Sequence, residues 1–156
     1  MKSMKYLVLF AITCATIMCT GCASGPKYAS VVDSLPALEE AGEQGRIFIY
    51  RDGSIFGVAV QASVLLNEVA VGKSRAGSFF FVDVDQGNCE VSCETESESS
   101  ITFDIAAGET KYVRTRVELG VLVGRIVPYL ETEEVAMKTL PSTSYIGEQD
   151  LLDKVE

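Results

Sequence analysis

Apolar and polar residues alternate along much of the chain between residues 45 and 130, which is the period of a β-strand with one buried face. Ile101, Phe103 and Ile105, for example, fall on one side of such a strand, with polar residues between them. The clearest predicted strands cover residues 46–51, 62–67, 69–71, 79–84, 101–105, 112–119 and 120–130. Short strands at a spacing of about ten residues predict an all-β fold, an antiparallel β-sandwich, with a small barrel as the alternative.

Two stretches have helical rather than strand spacing. Residues 31–45 fit a short helix with Ser34 as its N-cap and Pro36 in its first turn. Residues 132–140 carry acids at their start and are followed by Pro141, which favours a second helix that ends there. The pattern therefore predicts one or two short peripheral helices beside the strands.

The beginning of the chain has the pattern of a bacterial signal peptide. Two lysines precede an apolar run of 13 residues, Tyr6–Met18, which is shorter than the roughly 20 residues that span a membrane. Thr20-Gly21-Cys22 resembles a lipobox, in which a peptidase cuts before a cysteine that becomes lipidated, although Cys19 stands where leucine is usual. The sequence predicts lipidation, including palmitate, at Cys22. An ordinary secretory signal or an uncleaved anchor is the alternative.

If the chain is cleaved before Cys22 and Cys22 is lipidated, the first partner of the mature protein is the lipid bilayer that the acyl chains enter. The next residue is Ala23 rather than aspartate, which by resemblance to enterobacterial lipoproteins favours the outer membrane, with the domain facing the periplasm. A tether from Cys22 to residue 30 would reach at most about 28 Å. The expected organisation is a signal peptide over residues 1–21, a tether over 22–30, the sandwich over 31–141 and a flexible tail over 142–156.

Charge and composition narrow the function. The chain has 13 basic and 22 acidic residues, a net charge of −9, and the predicted signal peptide removes two further lysines. Because phosphate contacts need lysine and arginine, so acidic a protein is not expected to bind nucleic acid. The complete lack of histidine excludes Ser-His-Asp catalysis, Cys-His catalysis and histidine-based zinc sites.

Several strand and turn residues occur in an order that resembles a known family. These residues are Tyr50, Arg51, Gly57, Val64–Asn67, Val71, Gly72, Gly77–Phe80, Gly87, Gly108 and Tyr112–Arg114. In this order they are similar to the bacterial envelope proteins grouped as domain of unknown function 2846, many of them lipoproteins. Cys89 takes a position that is often histidine there. The resemblance implies a prealbumin-like β-sandwich over roughly residues 46–140 and no established activity.

Cys89 and Cys93 are the only cysteines after Cys22, and in one strand they share a face with Val91. Four residues of strand span roughly 13 Å, beyond the roughly 7 Å between the Cα atoms of a disulfide. Two small buried side chains are the first interpretation, and a bridge across a local bulge is the second. No histidine or Cys-x-x-Cys motif is present that would lower a thiol pKa, so neither cysteine is expected to be catalytic.

Two groups of charged residues are candidate partner surfaces. Tyr50-Arg51 and, as the preferred surface, Tyr112, Arg114 and Arg116 are aromatic and positive on an acidic chain, and tyrosine and arginine are over-represented at interfaces. Salt bridges to neighbouring acids are the simpler explanation of these residues. A row of glutamates, at positions 90, 94, 96 and 98, fits a solvated strand edge that discourages aggregation, or a docking stripe for a basic partner.

These observations favour an envelope lipoprotein that is not an enzyme and that presents a binding or structural surface to an envelope partner. No cofactor, no metal and no catalytic residue is expected, because no ligand spacing or nucleophile–base pair is present. The alternative is a hydrolase of a cell-wall or glycan substrate that uses paired carboxylates, which the many acids allow.

Overall fold

The computed structural model describes residues 25–35, 37–38, 42–55, 57–95, 97–119 and 124–147. The predicted signal peptide and Cys22 lie outside these ranges, as does Pro36. In the described ranges, no helix has the length and apolar character that a membrane crossing needs.

Strands dominate the described residues and form two sheets that pack face to face. A five-stranded sheet has the order β8-β7-β1-β4-β9, and a four-stranded sheet has the order β3-β2-β5-β6. The predicted all-β sandwich with short helices is therefore confirmed. The strands are β1 (Gln44–Tyr50), β2 (Ala62–Leu66), β3 (Val69–Ser74), β4 (Ser78–Asp85), β5 (Gly87–Glu94), β6 (Glu98–Ile105), β7 (Thr110–Glu118), β8 (Arg125–Glu131) and β9 (Ser144–Tyr145).

Strand β1 is the centre of the five-stranded sheet. It pairs antiparallel with β4 and parallel with β7, so this sheet is mixed rather than purely antiparallel. A parallel neighbour requires a long crossover, and here the chain builds the whole four-stranded sheet between β1 and β7. Consecutive side chains Ile47, Phe48, Ile49 and Tyr50 are all at most 4% exposed, which shows that both faces of β1 are covered.

The space between the sheets contains the main apolar core. Alternate residues of every long strand point into it, as the period-two pattern predicts. The five-stranded sheet contributes Ile47, Ile49, Phe80, Val113 and Ile126, and the four-stranded sheet contributes Ala62, Val64, Leu66, Cys89, Val91, Cys93, Phe103 and Ile105.

The two cysteines belong to this core. Cys89 and Cys93 carry free thiols and are at most 2% exposed, on the same face of β5 as Val91. Burial raises the pKa of the Cys93 thiol to about 12 and also raises the pKa of Cys89. The first interpretation of these residues, two small buried side chains, is confirmed, and both thiols are held in their neutral, unreactive form.

A second apolar cluster lies on the outer face of the five-stranded sheet. Its aromatic rings contact one another, and Tyr28 packs edge to face against Phe48 and Phe79 with 5.5 Å between ring centroids in both cases. The cover comes from three short helical segments: α1 (Tyr28–Val32), α2 (Glu133–Ala136) and the 3-10 helix Leu140–Ser142. Val31, Ala136 and Leu140 are the buried residues of these segments.

The expected helix over residues 31–45 is wrong in its position. The helix is α1, which ends at Val32, and Ser34 lies after it rather than before it. The Ser34 hydroxyl donates to the carbonyl oxygen of Val31 at 2.7 Å, so it satisfies the end of a helix instead of capping a start. The second helix lies where it was predicted but is shorter, since α2 covers only Glu133–Ala136.

The expected boundaries of the tether and tail also move. The amide of Tyr145 donates to the carbonyl oxygen of Pro26 at 2.9 Å, and β9 pairs with β4 through Ser78 and Phe79. Thr143, Ser144 and Ile146 are buried. Residues 25–30 and 142–147 therefore belong to the folded domain, because each supplies the backbone partner of the other.

Gly72 shows how tightly the two sheets approach each other. A Cβ atom at this position of β3 would lie 2.7 Å from the ring of Phe80, which is only 3% exposed. Gly72→Ala is expected to lower the free energy of unfolding by about 1–3 kcal/mol, because the buried ring cannot move without disturbing its neighbours. Urea denaturation of the mature chain carrying Cys22→Ser, followed by circular dichroism, measures this change.

Gly53→Ala is the matched control. A Cβ atom there meets only the Cα atom of Gly77, at an ordinary 3.8 Å. The free energy of unfolding of this variant should lie within about 0.5 kcal/mol of that of the parent protein. Equal stability of the two alanine variants would show that the sheets have more room at Gly72 than the structure gives them.

Candidate functional site

The predicted partner residues Tyr112, Arg114 and Arg116 occupy alternate positions of β7 and share the outer face of the five-stranded sheet. Tyr112 is nevertheless only 7% exposed, and its ring stacks on Phe48 with 5.8 Å between centroids and 10° between planes. Tyr112 is therefore part of the outer apolar cluster, and the prediction that it faces a partner is wrong. Local sequence could not show this, because the covering helices come from both ends of the domain.

The hydroxyl of Tyr112 also has internal partners. It is hydrogen-bonded with Tyr28 of α1 and Glu133 of α2. Burial raises the pKa of Tyr112, and the neighbouring Tyr28 and Glu133 raise it further. Tyr112 thus stays protonated and joins both helices to β7, which is a structural role.

Glu131, at the end of β8, lies at the centre of a charged network. Its side chain is 8% exposed and takes an ion pair of 2.5 Å from Arg116 and a longer one of 3.7 Å from Arg114. The hydroxyl of Tyr50 donates to the second carboxylate oxygen. Arg114 also contacts Asp52 at 2.5 Å. The network therefore links β1, β7, β8 and the loop that follows β1.

Protonation in this network is set by burial and by the carboxylates. Burial raises the pKa of Tyr50 above its ordinary value, and the hydrogen bond and negative charge of Glu131 raise it further. Burial acts to lower the pKa of Arg114, but Asp52 and Glu131 outweigh it and raise that pKa. Tyr50 is therefore a stable hydrogen-bond donor and Arg114 a permanent cation.

Arg51 holds the loop of residues 52–60 against the sheet. Its guanidinium donates to the carbonyl oxygens of Val60 and Gly57 at 2.7 and 2.6 Å, and the residue is 2% exposed. Burial lowers the pKa of Arg51, while the charge of Asp52 opposes the change. Gly57 has a φ of +72°, and a Cβ atom there would meet Val117 at 2.8 Å. The glycine thus lets the loop lie directly on β7.

This loop and β7 enclose a cleft of about 280 Å³, referred to here as the arginine cleft. It is lined by Arg51, Asp52, Ser54, Arg114, Arg116 and Val117. The Nε atom of Arg114 is buried and has no hydrogen-bond acceptor among the described residues. Guanidinium groups match carboxylate and phosphate oxygens in geometry and charge, so the cleft can accept a small anionic group. The sequence indicated the three arginines as candidates, and the tertiary structure brings them together and adds Asp52 and Ser54.

The glutamates predicted as a stripe lie on the outer face of the four-stranded sheet. Glu94 of β5 faces Glu98 of β6 directly across the strand pair, and both are exposed, as is Glu90. Glu96 lies outside the described residues. Like charges opposite each other on an open sheet repel, which disfavours edge-to-edge association at β6.

Across the described ranges, no three acidic or cysteine side chains cluster in a way that could hold a metal ion.

The chain belongs to the family described as protein of unknown function (DUF2846), whose model matches residues 41–125. The family that the sequence indicated is thus confirmed. An uncharacterized protein of Haemophilus influenzae is 30% identical over 113 residues, which cover 69% of this chain and 66% of that relative. The chain thus spans just under two thirds of the relative's length. No solved structure matches the chain.

The family match covers β1 to β7 and therefore the arginines of the cleft. Arg51, Arg114 and Arg116 all fall within residues 41–125, whereas Glu131 and Cys22 do not. The arginines of the cleft thus lie inside the family match, whereas Glu131, the carboxylate that pairs with Arg116, lies outside it.

Glu131→Gln is expected to lower the free energy of unfolding by about 2 kcal/mol or more. The substitution keeps the side-chain volume but leaves Arg116 without its 2.5 Å ion pair. It also removes one of the negative charges that balance the positive charge of the largely buried Arg114. Urea denaturation of the mature chain carrying Cys22→Ser measures the effect.

Glu134→Gln serves as the comparison. Glu134 pairs with Lys138 at 3.4 Å, but its side chain is 86% exposed. Glu134→Gln should therefore change the free energy of unfolding by less than about 0.5 kcal/mol. If Glu131→Gln is as mild as Glu134→Gln, the network does not hold the strands together.

Proposed function

We propose that this protein is a membrane-anchored envelope lipoprotein that works as a non-enzymatic binding module. The observation that carries the proposal is the lipobox-like Thr20-Gly21-Cys22, which ends three residues before the first described residue of the folded domain, Gly25. A signal peptide followed at once by a lipidated cysteine and a folded domain is the arrangement of a lipoprotein. Membership of a family with no established activity is compatible with this role.

The anchor determines where the module works. Each buried methylene group of an acyl chain contributes about 0.8 kcal/mol, and two or more chains give stable attachment. The mature chain is strongly acidic, so electrostatic attraction to anionic lipid cannot replace the acyl chains. Ala23 after the lipidated cysteine favours the outer membrane, with the domain in the periplasm.

Growth with labelled palmitate should mark the full-length protein, and Cys22→Ser should abolish the label because the acceptor thiol is gone. Cys19→Ser is the matched control, since this neighbouring cysteine belongs to the predicted signal peptide. Autoradiography of the immunoprecipitated protein reads both variants. Label that persists in Cys22→Ser, or that depends on Cys19, would refute the assignment.

The arginine cleft is the surface that we propose for binding. Its positive groups are unusual on a chain with net charge −9, and its anion-matching geometry suits a carboxylate or phosphate group on an envelope protein or cell-wall polymer. Arg116 is the accessible member, with 46% of its side chain exposed. Arg51 and Arg114 shape the cleft from positions that are largely buried.

Binding fits this cleft better than hydrolysis. Asp52, in the lining of the cleft, and Glu131, which pairs with Arg116, each hold an arginine at 2.5 Å. Paired-carboxylate hydrolysis instead needs one acid that is free to donate a proton and one that attacks or activates water. Release of soluble fragments from purified cell wall or glycan by the purified domain would support the hydrolase alternative instead.

Replacement of Arg116 by a photoreactive amino acid in living cells should capture a discrete envelope partner, because this exposed side chain lines the arginine cleft. The same replacement at Glu94, on the opposite sheet, is the control and should capture nothing specific. Immunoblotting after irradiation reads the products. Capture from Glu94 with none from Arg116 would identify the acidic face as the working surface.

A further inference from the structure

The first described residues are fixed to the domain rather than hanging from it. Lys27 donates through its Nζ atom to the carbonyl oxygen of Ser142 and the hydroxyl of Ser144, at 3.0 Å each. The backbone of Gly25 lies so close to Tyr145 that a Cβ atom would be 2.0 Å from its carbonyl oxygen. Together with the hydrogen bond from the Tyr145 amide to the Pro26 carbonyl oxygen, these contacts hold the chain against the domain from Gly25 onward.

The docking shortens the tether that the sequence had suggested. Only Ala23 and Ser24 lie between Cys22 and Gly25, and the three extended Cα–Cα steps from Cys22 to Gly25 reach only about 10 Å. If Cys22 carries the acyl chains, as proposed above, the domain cannot tumble freely over the bilayer. The point where the chain enters the domain must lie close to the lipid headgroups.

We infer that one edge of the sandwich faces the bilayer that holds the anchor. This edge, called the anchor edge, is where α1 and β9 meet beside the five-stranded sheet. Its exposed residues are Gly25, Pro26, Lys27, Ala29, Ser30, Pro141 and Ser142. The inference rests on the proposed lipidation and specifies the orientation of the anchored domain.

Charge favours the same orientation. Lys27 is the cation of the anchor edge, which also has the exposed acid Asp33 at the end of α1, and a cation near anionic headgroups is favourable. The outer face of the four-stranded sheet carries exposed Glu90, Glu94, Glu98 and Asp104. Because α1 packs on the outer face of the other sheet, these acids lie on the far side of the sandwich, where an anionic surface repels them least.

The test uses full-length lipidated protein reconstituted into vesicles of phosphatidylethanolamine and phosphatidylglycerol, with a nitroxide on a fraction of the headgroups. A fluorophore is attached at Ala29→Cys on the anchor edge or, as the matched control, at Thr102→Cys on the acidic face. Both positions are exposed, while Cys89 and Cys93 are buried. Quenching at position 29 is expected to be several-fold stronger than at position 102.

Flotation of the same vesicles separates the two ways of failing. Protein that does not float refutes the anchor and, with it, the orientation. Protein that floats but is quenched equally at both positions, or more strongly at position 102, refutes the orientation alone.

A lengthened tether tests the cause. A flexible insertion of about twenty glycine and serine residues between Cys22 and Gly25 should keep flotation unchanged and lower the quenching at position 29 towards that at position 102, because the domain can then move away from the surface. Unchanged quenching in this variant would show that the short tether does not set the orientation.

Discussion

The whole architecture depends on the burial of both faces of one strand, β1. Its inner face, Ile47 and Ile49, packs against the four-stranded sheet, which is the ordinary requirement of a sandwich. Its outer face, Phe48 and Tyr50, is equally buried. A second cover is therefore needed, and the two ends of the domain supply it. The short helices and β9 would have no stable position without this aromatic surface beneath them.

Polar groups on the covered face must find partners, because desolvation without pairing is costly. Arg46 pairs with Asp83 at 2.6 Å, and Tyr50 donates to Glu131. Charged groups at the margin of the covered face are paired in the same way. Arg114 is held between Asp52 and Glu131, and Arg116, which also pairs with Glu131, reaches solvent in the arginine cleft. The candidate binding surface is thus the boundary of the outer apolar cluster, where the charges are positioned but still accessible.

Covering β1 also connects the core to the segment that follows the proposed anchor at Cys22. Residues 25–32 lie on the sheet because Tyr28 of α1 packs against Phe48 and Phe79. In addition, Pro26 and Lys27 form hydrogen bonds with the segment that contains β9. Packing of an aromatic cluster therefore fixes the point at which the chain leaves the domain. The same packing, which stabilises the fold, is the basis of the orientation that we propose for a lipid-anchored form of the protein.

The sequence by itself determined most of the strands, the sandwich, the inward face of Cys89 and Cys93, and the family, because these follow from alternation and turn residues among near neighbours. Only the tertiary structure decided that Tyr112 is buried, that residues 25–30 and 142–147 are folded, and that Arg51 joins the cleft. Alternation shows that a strand has two faces but not what covers the second. That cover comes from residues more than 100 positions apart, Lys27 and Ser144, whose contact depends on packing and leaves no local pattern.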